Sequence, residues 1–126
     1  MSSDVIWRED KQTVVIKDTG LLSPTELARQ TALGIGLLQQ YGGHRVLVDC
    51  SELAMPDVST FDLYKQPDVY EEQRVPHDTR IALILPRDNR RPELFTFYDD
   101  TAHNRGFNVR LFNSHDEAWR WLEEPL

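Results

Sequence analysis

VLVDCSELAMPDVSTFDLY, residues 46–64, is the stretch on which the fold turns. An apolar run ends at Asp49, and a proline and several side-chain oxygens then precede a segment of helical composition. Residues 45–49 read as a short strand, and RIALIL, residues 80–85, as a second of the same kind. Both are apolar on successive residues, the pattern of inner strands with helices packed over them. Ser59, with Asp62 three residues on, has the spacing of a helix N-cap. Helical composition then runs over residues 59–74, where Pro67 divides it into two segments.

Working outward, the hydrophobic period alternates between two and about 3.6, as it does where strands and helices succeed one another. Residues 5–8 and 13–17 are β-branched and aromatic on either side of the polar EDKQ, which predicts an N-terminal hairpin. SPTE, residues 23–26, supplies a capping hydroxyl, a proline at the first helical position and a reciprocal glutamate. The helix it opens ends at Tyr41, Gly42 and Gly43. Leu27, Ala28, Thr31, Ile35 and Leu38 share its inner face, and Gly34 and Gly36 are expected to allow close packing on a sheet.

Beyond the second inner strand, Leu94, Phe95, Tyr98, Thr101 and Ala102 form a helical stripe that Gly106 stops. A strand at Asn108–Phe112 follows, and SHDE from Ser114 caps a last helix that turns Ala118, Trp121 and Leu122 inward and stops at Pro125. The order is ββαβαβαβα in one α/β domain over residues 1–126, with a mixed sheet of four to five strands and about four helices.

Composition narrows the function classes. Of the 126 residues, 40% are hydrophobic and 28% charged, which suits a folded domain. A formal net charge of -7 repels polyanions, so nucleic acid is not expected as a partner. No apolar run approaches the roughly 20 residues of a membrane span, and no membrane insertion is expected. The charged start MSSDVIWRED and the single cysteine fit a cytoplasmic protein without an internal disulfide.

The strand ending VLVDCSEL, the helix opening at DVST, RIALIL, and HNRGFNVRLFNSHDEAWRWL together resemble the STAS-like domains, in particular the small bacterial SpoIIAA-like group. The resemblance runs from Val46 onward. It implies a mixed sheet covered by helices and a role in binding, since the wider group includes anti-sigma factor antagonists, transporter tails and lipid-carrier-like domains. In the antagonists the loop after this strand reads roughly D-S-S-G, and the first serine is phosphorylated to release the partner. The matching letters here are Asp57-Val58-Ser59-Thr60, so Val58, which has no hydroxyl, stands at the phosphoacceptor position, and Thr60 replaces the glycine.

No residue set carries a reaction, and turnover of common ester, phosphate or glycoside substrates is not expected. Ser59 reads as a cap before it reads as a phosphosite, because Ser, Thr and Asp are the ordinary residues of helix starts. Cys50 reads as an apolar structural thiol rather than a nucleophile. Asp99 and His103, four apart, lack a third ligand for a metal. Arg87, Arg90 and Arg91 in PRDNRRPE stand near a helix start, where an anion could rest or the loop could simply be solvated. Trp119 points away from the face that buries Trp121.

Neither cofactor nor metal is expected. The leading reading is a protein-interaction or regulatory module, docking a partner or its own copy around Asp57, Ser59 and Thr60. The alternative is a carrier of a small apolar or anionic ligand where Cys50, Pro86 and Asn113 end their strands, with Arg87 close by. A closed apolar pocket would favour the carrier, and an exposed apolar patch beside the second helix the module.

Overall fold

The computed structural model describes residues 2–125. Strands β1 (Ser2–Arg8) and β2 (Thr13–Leu22) form the expected antiparallel hairpin, and helix α1 (Pro24–Tyr41) carries the chain to β3 (Arg45–Pro56). Helices α2 (Thr60–Tyr64) and α3 (Gln66–Glu72) lead to β4 (Arg80–Ile84), α4 (Pro92–Asn104) to β5 (Asn108–Phe112), and α5 (His115–Glu123) ends the described chain. The sheet order is β1-β2-β3-β4-β5, antiparallel in the first pair and parallel in the rest. The ββαβαβαβα order and the mixed five-stranded sheet are those expected, and Pro67 sits in the first turn of the second of two helical segments.

The strand order decides where the helices lie. Parallel crossovers share one hand, so a sheet whose parallel strands follow in sequence puts every connecting helix on the same face. Accordingly Leu27, Ile35 and Leu38 of α1, Tyr70 of α3 and Leu94, Phe95 and Tyr98 of α4 pack in one core with Val14, Ile16, Val46, Ile81 and Leu83 of the sheet. On the opposite face α5 alone lays Ala118, Trp121 and Leu122 over Leu47, Ala82 and Ile84. Arg45 and Arg80, at the starts of β3 and β4, donate to carbonyls at the end of α5, where cations complement the helix dipole.

Three expectations need correction. β3 does not end at Asp49 but continues to Pro56, because it carries two extra residues against β2, between the Lys17 and Thr19 pairings and between those of Gly20 and Leu21. On α1 the buried set is Leu27, Gln30, Gly34, Ile35 and Leu38, with Ala28 exposed and Thr31 half-buried. Gly34 does allow the close approach, since a Cβ there would stand 3.3 Å from Ile16 Cδ1. Gly36 faces open space, so close packing is not its role.

Candidate functional site

The opening stretch crosses from β3 into α2. Asp57 N–H donates to Leu22 O at 2.8 Å, tying the loop to the end of β2. Val58 is only 8% exposed and belongs to the core, a buried aliphatic side chain with no hydroxyl to modify. Ser59 caps α2 in both directions: its Oγ accepts from Asp62 N–H at 3.2 Å, and Asp62 Oδ2 accepts from Ser59 N–H at 2.8 Å. Ser59→Ala is therefore expected to lower stability by about 0.5 to 2 kcal/mol while Ser59→Asp costs little, as chemical denaturation of the purified proteins would measure. An alanine variant as stable as wild type would remove the cap from the account.

With its cap made, α2 buries none of its five residues. Phe61 and Tyr64 are 65% and 54% exposed, and their three-residue spacing puts them on one side of the helix.

Beneath α2 lies a cavity of about 110 Å³ between the sheet and helices α1, α3 and α4. Its wall is almost wholly aliphatic and aromatic, and its polar side chains come in groups. Thr31 donates to Gln66 Oε1 at 3.0 Å, and the Tyr70 and Tyr98 hydroxyls share a hydrogen bond of 2.7 Å. Burial pushes the Tyr70 hydroxyl up to about 12 and the Tyr98 hydroxyl well above the ordinary phenol value.

The third group centres on Asp18, which is 1% exposed. The Gln30 amide, oriented by its surroundings, donates to both carboxylate oxygens at 2.5 and 3.3 Å, and Cys50 Sγ lies 3.8 Å from Oδ2. Burial raises the Asp18 carboxyl from 3.8 to about 6, against the pull of these two donors. Sequence reasoning missed Asp18. The signal that could have found it is the two-residue period of Val14, Ile16 and Asp18, which puts the aspartate on the inner face once β2 is carried past Lys17.

The other candidates are placed as follows. Cys50 is buried, and burial raises its thiol well above the ordinary value, so it is no thiolate nucleophile; its surroundings are not purely apolar, because Asp18 stands beside it. It also lies mid-strand and does not end β3 as the strand-end reading required. His103 Nε2 is 2.7 Å from Val109 O and 3.3 Å from Asp99 Oδ1, and no cluster of three metal-ligating side chains occurs among the described residues.

Arg90 pairs with Asp88 of its own loop and Arg91 with Glu93 in the first turn of α4, Arg87 is exposed with its N–H on Ser51 O, and Asn113 is exposed just before the Ser114 cap. None of Asp57, Ser59, Thr60, Arg87 and Asn113 lines the cavity. Trp119 is half-buried, with Arg8 and Lys11 over its ring at 5.3 and 5.5 Å. An unforeseen pair, His115 and Asp49, meets at 2.8 Å at the start of α5.

Among solved structures, the anti-sigma factor antagonist SpoIIAA in its unphosphorylated form superposes with a TM-score of 0.63 over 98% of this chain and 100% of its own, at 15% identity. The fold is SpoIIAA-like. An uncharacterized DUF3478-family protein with a SpoIIAA-like fold, from Shewanella loihica, aligns at a TM-score of 0.57 and 17% identity over 96% of this chain and 92% of its own. No family model matches the sequence, and no curated protein does. The SpoIIAA-like likeness thus carries the arrangement of the sheet and helices, and the loop and cavity are read from this chain's own residues. Among the described residues no helix is long and apolar enough to cross a membrane.

Proposed function

We propose that this protein is a non-enzymatic cytoplasmic interaction module that docks a protein partner through the outer surface of α2. The observation that carries the reading is the pair Phe61 and Tyr64, exposed on a capped helix of which only Leu63 packs against the core. Large aromatics are the side chains from which the centres of protein interfaces are built.

Charge selects the kind of partner. Residues 57–72 hold Asp57, Asp62, Asp68, Glu71 and Glu72 against the single base Lys65, and although Arg105 pairs with Asp68 the surface stays acidic. Two copies brought together here would repel, whereas a partner presenting basic residues around an apolar centre would be steered onto it. SpoIIAA, which shares the fold, is an anti-sigma factor antagonist.

The test is capture from native cell extract with wild type and with Phe61→Ser/Tyr64→Ser, followed by reconstitution of the captured protein from purified components. A stoichiometric complex that forms with wild type and weakens at least tenfold with the double variant is expected, with both proteins melting alike. A reconstituted partner that binds both equally would move the docking surface elsewhere. The cavity favours a second reading, a carrier or sensor of a small ligand.

A further inference from the structure

The cavity is large enough to hold something and contains one group that has no conventional reason to be there. An engineered cavity of about 150 Å³ lined by apolar side chains binds benzene, and this space of about 110 Å³ is somewhat smaller, so a body of that kind enters as the α2 wall yields. Within it Asp18 is a buried carboxyl that no base among the described residues reaches with a hydrogen bond or ion pair, although Arg29 acts on it electrostatically. Arg29, on the neighbouring turn of α1, is bonded to Glu26 and to the Ser3 carbonyl. No Lys, Arg or His lines the cavity. The Thr31–Gln66 and Tyr70–Tyr98 pairs are bonded to each other, while Asp18 has only neutral donors, one amide and one weak thiol, for its four lone-pair sites. Buried carboxylates are ordinarily paired with cations, and this one has none bonded to it.

We infer that the cavity binds a small apolar amine, its ammonium group held by Asp18 and its hydrocarbon body lying between the sheet and helices α1 and α4. An anionic ligand would meet Asp18 with no base lining the cavity, and Glu26 and Asp49 add negative charge around that carboxyl against the single positive charge of Arg29, which is bonded to Glu26. A neutral ligand would fill the apolar space but leave the carboxylate without its cation. The wall that opens at the least cost is α2, which contributes Leu63 to the cavity but has no buried residue of its own. This inference goes beyond the docking surface and does not depend on it.

The experiment is calorimetric titration of the full chain with benzylamine, benzyl alcohol and benzoate. Saturable binding of benzylamine is expected, at least tenfold tighter than the alcohol, with no binding of benzoate. Asp18→Asn should cost benzylamine tenfold or more and leave the alcohol unchanged. The groups that face Asp18 are Gln30 and Arg29 of α1, Glu26 at the start of α1, and Asp49 and Cys50 of β3. Of these, Asp18 itself titrates near 6, so lowering the pH from 7.5 to 5 should weaken benzylamine and spare the alcohol. A carboxyl carbon NMR titration of wild type keeps the test independent of any variant: benzylamine should lower the Asp18 midpoint. Benzoate binding as tightly as benzylamine, benzylamine binding unaltered in Asp18→Asn, an unmoved Asp18 midpoint or no benzylamine binding would each overturn the inference.

Discussion

A chain ending at Ser114 is expected to lose its cooperative thermal transition and to become insoluble or molten. Helix α5 alone covers its face of the sheet, so its removal sends Leu47, Ala82 and Ile84 into water together with the loss of Ala118, Trp121 and Leu122. Burial of Trp121 and of Leu122 is worth about 1.5 to 3 kcal/mol each, and the sheet residues they cover add comparable amounts. Against a net stability of roughly 5 to 15 kcal/mol for a domain, that loss is decisive. Two losses go with it: Arg45 and Arg80 lose the carbonyls they cap, and Asp49 loses His115.

The measurement is near-ultraviolet circular dichroism with temperature, beside the fraction recovered in the supernatant. A soluble truncation with a sharp melt would show that the inner core between the sheet and α1, α3 and α4 suffices without the α5 layer.

The sequence disclosed most where a local rule fixes the answer. Ser23, Ser59 and Ser114 cap helices because each hydroxyl meets a backbone N–H three residues on, a contact that depends on nothing distant. The buried set of α4 was likewise legible, since five apolar or small residues at helical spacing leave one choice of inner face.

What escaped depends on partners far along the chain. The extension of β3 from Asp49 to Pro56 rests on two bulges whose existence is a property of its pairing with β2, and EL and AMP carry no strand signal by themselves. Gln30 was passed over as a polar residue on a helix, because the carboxylate that draws it inward comes from another strand. The site followed the same division. Ser59 was readable as a cap and Val58 as unable to accept phosphate, while the cavity, being the gap left between four elements, has no sequence of its own.

Asp18→Asn is expected to make the unliganded protein more stable at pH 7.5, by an amount that vanishes in acid. The folded carboxyl ionises at about 6 and the unfolded one near 3.8, so between these values the folded chain holds a proton that the unfolded chain has released. Stability therefore falls as pH rises through that window: the contribution of neutral Asp18 is whole below 3.8 and gone once the pH passes 6. The displacement corresponds to a cost of ~3 kcal/mol at neutral pH. Asparagine keeps the acceptor for Gln30 and carries no charge, so it should recover most of that cost.

Asp49 and Glu26 act in the opposite sense, because hydrogen bonds from the Ser51 region and from Arg29 hold their carboxyls below the ordinary range and their stabilisation grows as the pH rises through it. For that reason the wild-type curve alone is a poor gauge. The difference between variant and wild type, taken by urea denaturation at several pH values from 3.5 to 8, isolates Asp18. It should be near zero at the acid end and should open between about 4 and 6. A difference that is flat across the range, or a variant less stable than wild type at pH 7.5, would mean that the Asp18 carboxylate is stabilised in the unliganded fold. A cavity that keeps an acid at such a cost would trade stability for binding, as sites commonly do. The same substitution that strengthens the empty protein should then weaken its hold on an amine.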